Sequence, residues 1–120
     1  MKEGKVVVIG FSSARQTACK ERLWREHGIT NAVFVTTPQA MLEASKEAIV
    51  IVIHLNDYPN LMDQVVSQGY EGALVAVATS KSRAQELVLV DHKKRQRTIR
   101  PIHLRQVPQA IAIARKGARA

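Results

Sequence analysis

The chain has 120 residues, 46% of them hydrophobic, a single cysteine and a formal net charge of +8 at pH 7. This length predicts one domain with its own core, and a lone cysteine excludes a disulfide framework. No apolar run is long enough to cross a bilayer, so we expect a cytoplasmic protein without a membrane partner.

Apolar strands and helical patterns alternate from the N-terminus. A β-branched run at residues 5–9 predicts a strand that ends at Gly10. Ser12 or Ser13 then begins a helix that continues to about His27, with Gly28 just beyond its end.

The same alternation continues through the middle of the chain. A second strand at residues 31–36 precedes a helix that begins at Thr37-Pro38. The third strand, residues 48–55, is the richest in β-branched side chains, and a short helix from Asn60 to Gly69 leads to a fourth strand at 73–78.

The sequence is compatible with two alternative structures for residues 83–99, a helix and a hairpin. Helical spacing and a capping box at 82–85 favour a fourth helix, which would complete the alternation. The β-branched run at 87–90 instead fits a hairpin that turns at HKKR, residues 92–95. We favour the helix, followed by a short fifth strand containing Ile99, which Arg100-Pro101 ends, and a last helix at 107–116.

Continuous apolar strands that alternate with helices predict a parallel sheet covered on both faces. The expected fold is a three-layer α/β domain with a five-stranded parallel sheet, and a hairpin in place of the fourth helix is the alternative. Residues 1–120 form a single domain whose C-terminal third is basic.

This order of elements resembles the response-regulator receiver domain over nearly the whole chain. The resemblance rests on the strand–helix units, on Pro59 after the third strand, on Thr79 at the end of the fourth, and on Arg100-Pro101. It implies a receiver-like or flavodoxin-like sheet and a role in signalling or transcription regulation.

The chain departs from the receiver pattern where phosphoryl chemistry takes place. Receivers hold a divalent cation with acidic residues after the first strand, where this chain reads GFSSAR, residues 10–15. The phosphate-accepting aspartate of the family corresponds to Leu55, while Asp57 lies two residues before Pro59. Since Mg²⁺ needs oxygen ligands, the resemblance implies a pseudo-receiver with no metal, no cofactor and no enzymatic activity.

Polar side chains nevertheless collect at the carboxyl ends of the strands, where open α/β sheets bind their ligands. The expected crevice residues are Ser12, Ser13, His54, Asp57, Thr79, Ser80 and Arg100. A helix that starts at the serines could bind an anion, but capping also explains their residue type and is favoured. For His54 the favoured interpretation is a packed, hydrogen-bonded histidine.

The positive charge is concentrated at one end of the sequence. Residues 81–120 contain eleven Lys or Arg against two Asp or Glu, whereas residues 1–80 contain seven against eight. Such an imbalance predicts an acidic partner. The predicted partner face comprises Lys93, Lys94, Arg95, Arg97 and Arg105.

The sequence therefore predicts a non-enzymatic regulatory module that binds an acidic protein through its basic fourth-helix, fifth-strand and fifth-helix face. A nucleic-acid-binding accessory protein using the same residues is an alternative, although no aromatic side chain lies there to stack on bases. A phosphate- or anion-binding enzyme or sensor at the strand-end crevice is a second alternative. A homodimer is also open.

Overall fold

The computed structural model describes residues 4–79, 85–91 and 93–119, and a parallel sheet of four strands forms its centre. The strands are β1 (Lys5–Ile9), β2 (Ala32–Val35), β3 (Ala48–His54) and β4 (Ala73–Val77), in the spatial order β2-β1-β3-β4. Strands β1 and β3 occupy the middle of the sheet, which is why their side chains are almost all buried.

Four α-helices cover the sheet. They are α1 (Ser13–His27), α2 (Pro38–Ala44), α3 (Leu61–Ser67) and α4 (Val107–Arg119). As the sequence predicts, α1 ends at Gly28, whose φ of 65° is left-handed, and α2 begins where the Thr37 hydroxyl accepts a hydrogen bond from the Ala40 N–H. None of the described helices has the length and apolar character needed to span a bilayer.

The two faces of the sheet carry separate apolar cores. On one face, Val50 and Val52 of β3 pack against Leu23 of α1 and Ile111 of α4. The alternate residues of β3, including Ile51 and Ile53, face α2 and α3 on the other side. Because consecutive strand residues point to opposite faces and both faces are covered, the strands are apolar except for Lys5 at the start of β1 and His54 at the end of β3.

The expectation of a fifth parallel strand around Ile99 is wrong. At that edge of the sheet a single residue, Ile102, forms an isolated parallel bridge with Val77. The Ile102 N–H donates to the Ala76 carbonyl at 2.8 Å, and the Ala78 N–H donates to the Ile102 carbonyl at 2.9 Å. The bridge stops there because the chain before Ile102 belongs to the hairpin and because a 3-10 turn, Leu104–Gln106, begins two residues later.

The preferred helix at residues 83–99 is also wrong, and the hairpin is correct. Strands β5 (Leu87–Val90) and β6 (Gln96–Ile99) pair antiparallel as a separate two-stranded sheet. The side chains of Leu87, Leu89 and Ile99 point inward and join the core beside α3. In a strand every second side chain points to the same side, and this spacing buries these apolar residues better than a helix would. Ser82, the predicted capping residue of the helix, lies outside the described residues.

Candidate functional site

The serines that follow β1 act as part of helix α1. Ser12 is the N-cap, and its Oγ accepts a hydrogen bond from the Arg15 N–H at 3.4 Å while its carbonyl accepts one from Gln16 at 2.8 Å. Ser13 is the first helical residue, and its carbonyl accepts the Thr17 hydroxyl at 3.1 Å. Both serines are exposed, and capping accounts for the hydroxyl of Ser12.

His54 is buried at the end of β3, with only 3% of its surface exposed. By strand alternation its imidazole lies on the α1 face, where the Phe11 ring meets it edge to face at a centroid distance of 6.4 Å. Among the described residues, neither Nδ1 nor Nε2 has a hydrogen-bond partner. The histidine is therefore packed, as the sequence suggests, but the described part of the chain offers its imidazole no hydrogen bond.

Glycine is required where the loop after β1 passes His54. Gly10 has a φ of 97°, a left-handed conformation that favours glycine. A Cβ added to Gly10 would lie 2.5 Å from the His54 Cβ. The loop that connects β1 to α1 is thus pressed against the Cβ and backbone of His54.

The charge state of His54 follows from this burial. Burial lowers the pKa of the imidazole, the nearby Asp57 carboxylate opposes this effect, and the Arg15 guanidinium lowers the pKa further. Removing the imidazolium from water is costly, so His54 is neutral at pH 7.

The other predicted crevice residues are only partly brought together. Asp57 is exposed in the loop after β3, and the neighbouring Asn56 Oδ1 accepts the Thr79 N–H at 3.2 Å, which ties that loop to the end of β4. Leu55, where the resemblance places a phosphate acceptor, is buried in the core facing α3. Ser80 lies outside the described residues.

Arg100 lies on the hairpin and not against the crevice serines. Its side chain is 80% exposed and its Nη2 is 3.5 Å from the Glu86 carboxylate across the open end of the hairpin. Within the described ranges, no hydrogen bond or ion pair joins Arg100 to Ser12, His54 or Thr79. Of the predicted crevice residues, Ser12, Ser13, His54, Asp57 and Thr79 lie at or just after the carboxyl ends of β1, β3 and β4.

The turn between β5 and β6 is organised by an aspartate. The Asp91 Oδ1 accepts the N–H groups of Lys93 and Arg95, each at 2.8 Å, and its Oδ2 accepts Arg95 Nε at 2.8 Å. Burial would raise the pKa of Asp91, but the hydrogen bonds from Arg95 and Lys93 lower it overall. Lys94 completes the turn with a left-handed φ of 65°.

The basic residues of the hairpin are largely paired with the body of the protein. Arg95 Nη2 donates to the Glu71 carboxylate at 3.0 Å, and the Lys93 ammonium lies 3.8 Å from the same group. Arg97 Nη2 donates to the Gly72 carbonyl at 2.8 Å. These contacts fasten the hairpin to the start of β4.

The predicted partner face is divided between opposite faces of the sheet. Four of its residues, Lys93, Lys94, Arg95 and Arg97, lie on the hairpin, which covers the α3 face. Arg105 lies in the 3-10 turn, where its carbonyl accepts Arg22 Nη1 from α1 at 3.1 Å. The sequence interpretation placed this face on a helix directly after β4 and on a fifth parallel strand. Neither of these predicted elements is present in the described ranges.

The sequence suggests a basic outward face for the hairpin. The outward side chains of its strands are instead apolar or uncharged polar. In the antiparallel register Leu89 is opposite Arg97, and both point inward. Val88 and Val90 point outward and are 59% and 49% exposed, opposite Thr98 and Gln96. We call these four outward residues, Val88, Val90, Gln96 and Thr98, the hairpin surface.

A shallow apolar cleft of about 250 Å³ lies between α1 and the 3-10 turn. Its lining includes Phe11, Cys19 and Leu104, with Arg15, Arg22 and Arg105 at its border. Burial raises the pKa of the Cys19 thiol to about 11, which the Arg22 charge partly offsets. The thiol is thus protonated and unreactive at neutral pH.

Sequence reasoning missed the anions that hold the hairpin turn. An aspartate in front of a polar cluster is a known turn signal, because its side chain accepts N–H groups further along the chain. Asp91 provides that signal, whereas nothing near Glu71 in the sequence connects it with Arg95, twenty-four residues away.

Among the described residues, no group of three or more His, Cys, Asp or Glu side chains could hold a metal ion. Comparison of the chain with protein-family models, with curated proteins and with solved structures finds no match.

Proposed function

We propose that the chain is a non-enzymatic regulatory module, built on a receiver-like α/β scaffold, that binds an acidic protein through the hairpin. The observation that carries this proposal is the hairpin surface. Val88 and Val90 are large apolar side chains held side by side in water on a strand. Adjacent exposed apolar residues mark interaction sites more often than single ones do.

The hairpin also has the geometry of a docking element. Within the described ranges, β5 hydrogen-bonds to β6 alone, so its other edge carries backbone groups that a sheet edge typically offers to a partner. Its inward side is fixed by Leu89 and by the Asp91–Arg95–Glu71 contacts. A rigid element with an exposed apolar side loses little entropy on binding.

Positive charge at the ends of the hairpin supports an acidic partner. The turn carries three cations, Lys93, Lys94 and Arg95, and two anions, Asp91 and Glu71, lie beside it. The net charge of these five side chains is therefore one positive charge. Lys94 is exposed at the tip, and no ion pair involves it among the described residues. The charge that remains for a partner is smaller than the sequence suggests, and it steers the encounter more than it fixes the affinity.

Binding to nucleic acid is less well supported by the same surface. Within the described parts of the hairpin there is no aromatic side chain, so bases have nothing to stack on. Arg95 and Arg97, which could contact phosphates, are bonded to Glu71 and Gly72. Nucleic-acid binding would show a steep, sequence-independent loss with salt.

The proposal predicts that Val88→Glu/Val90→Glu removes the partner. With the purified chain as bait in a nuclease-treated lysate of its source, we expect the double variant to retain roughly tenfold less of the main acidic protein captured by the wild type. The reason is that two carboxylates replace the apolar contact and repel an acidic surface. Quantitative mass spectrometry of the captured proteins measures the effect.

Two matched variants control this experiment. Val33→Glu makes a single substitution of this kind at an exposed valine of β2, the strand at the opposite edge of the sheet from β4. This variant should capture the partner normally. Lys94→Asn removes a charge while keeping a residue that tolerates the left-handed turn, and should slow association without abolishing it. Arg95 is left intact because Arg95→Glu would place three carboxylates together and loosen the hairpin. Equal loss in Val33→Glu, or capture that nuclease abolishes, would refute the proposal.

A further inference from the structure

The cleft between α1 and the 3-10 turn combines an apolar floor with cationic residues at its border. Its apolar lining comprises Phe11, Ala18, Cys19, Leu104 and Pro108. Three arginines, Arg15, Arg22 and Arg105, complete the lining, and all three are exposed to solvent. No Asp or Glu is among the residues that line it. We call this feature the arginine cleft.

Hydrogen bonds fix the walls of the arginine cleft. Arg22 Nη1 on α1 donates to the Arg105 carbonyl at 3.1 Å, which ties the helix to the 3-10 turn. His103 caps that turn, because its Nδ1 accepts the Arg105 N–H at 3.2 Å and its own N–H donates to Gln106 Oε1 at 3.0 Å. Pro108, whose ring fixes φ, is the second residue of α4. A cleft whose walls are already in place loses little entropy when a ligand binds.

Two of the three arginines keep their guanidinium groups available. Arg22 is used, since it bonds to the turn and lies 3.4 Å from the Glu26 carboxylate. Across residues 4–79, 85–91 and 93–119, no hydrogen bond or ion pair involves the guanidinium of Arg15 or of Arg105. Each of these two groups can therefore bind an anion through charge-assisted, bidentate hydrogen bonds.

The size and lining of the cleft define the class of ligand. Its volume of about 250 Å³ is below the ~300–1,000 Å³ of sites that hold drug-sized molecules, which suits a single aromatic ring or a short acyl chain. Such a group on the floor at Phe11 and Leu104 leaves its polar end at the border, beside the arginines. A carboxylate at that end matches the charge and the planar geometry of a guanidinium.

We propose that the arginine cleft binds a small amphipathic carboxylate, with its apolar body on the floor and its carboxylate at Arg15 and Arg105. The cleft lies on the face of the sheet that α1 and α4 cover, whereas the hairpin lies on the α3 face. This site is therefore separate from the proposed partner surface. A second copy of the chain is disfavoured as the occupant, because each copy has a net charge of +8 and like charges oppose association.

The test titrates phenylacetate into the isotope-labelled protein. We expect the amide resonances of Cys19 and Leu104 to shift saturably. Phenylacetamide lacks the negative charge and acetate lacks the apolar body, so neither should produce saturable shifts over the same concentrations. Equal binding of either compound would overturn the proposal, as would the absence of saturable shifts with phenylacetate.

A double variant tests the two arginines. Arg15→Gln/Arg105→Gln should bind phenylacetate roughly tenfold more weakly, because it removes charge-assisted hydrogen bonds to the ligand. Lys46→Gln/Lys116→Gln is the matched control, since it removes two charges from exposed residues that do not line the arginine cleft, and should bind normally. Normal binding by the arginine variant, or an equal loss in the lysine variant, would contradict the assignment of the site.

The same resonances distinguish other occupants. Tighter binding of a blocked peptide with one phenylalanine between glutamates would assign the cleft to a protein segment and overturn the proposal. Shifts that grow with protein concentration and need no ligand would assign it to a second copy, with the same consequence. Val88→Glu/Val90→Glu should bind phenylacetate as the wild type does, so failure here and failure of the hairpin proposal are separate results.

Discussion

Ile53→Ala is expected to lower the free energy of unfolding by about 2–5 kcal/mol, the range for emptying a fully buried aliphatic site. Ile53 has no exposed surface and packs in the core between the sheet and helices α2 and α3. Two neighbouring strands, β1 and β4, pair with it on either side. A cavity at this point cannot be filled by solvent or by a simple side-chain movement.

Denaturant unfolding of the wild type and the variant measures this loss. Val33→Ala, on the edge strand β2 and 41% exposed, serves as the control and should cost far less. An unchanged denaturation midpoint for Ile53→Ala would mean that β3 is not the central strand.

His54→Leu is expected to stabilise the protein by about 1–2 kcal/mol at pH 7, because both ring nitrogens are buried with no hydrogen-bond partner between residues 4 and 79 or in the other described ranges. Such atoms carry a desolvation cost that an apolar side chain avoids. His54→Asn, which keeps a polar group at the site, should give no such gain. Thermal and denaturant unfolding of the three proteins compare them. A clear loss of stability in His54→Leu would show that the imidazole has a partner that the fold needs.

The same histidine predicts a pH dependence. Its pKa is lower in the folded than in the unfolded chain, so the unfolded chain binds the proton first as the pH falls. The stability that depends on a neutral His54 is complete above the unfolded value of about 6.5 and is lost as the pH falls below it toward the folded pKa. The difference in stability between His54→Leu and wild type should therefore widen between pH 7 and pH 5.

The first part of the fold was predictable because local signals and tertiary packing agree there. Gly28 ends α1 and Thr37 begins α2 as their residue types predict. The run at 48–53 is apolar throughout because both sides of β3 are covered, and this identifies a central strand. Each of these features can be read from a few neighbouring residues.

The C-terminal third was harder because two patterns overlap in it. Leu87 and Val88 fit a helical face, but Leu87, Leu89 and Ile99 also fit the inward side of a hairpin. What decides between them is distant in the sequence: the apolar surface beside α3 and the Glu71 carboxylate that binds Arg95. The periodicity of the sequence reveals neither that apolar surface nor that carboxylate.

The candidate site shows the same limit. The sequence shows how many cations the hairpin has but not which way each points, and the strand register places Arg97 on the inward side, opposite Leu89. Val88 and Val90 on β5, which look like core residues in the sequence, are the exposed ones. A net charge therefore indicated a partner class without locating the contact surface.

Exposure to beryllofluoride or acetyl phosphate with Mg²⁺ tests the proposal that this chain works by binding a partner and does not transfer a phosphoryl group. Residues 10–15 carry no carboxylate to hold the cation, and Leu55 is buried where an acceptor would be needed. Intact mass and amide spectra should therefore stay unchanged. A phosphoryl group on Asp57, or amide shifts near it that saturate with beryllofluoride, would overturn that proposal.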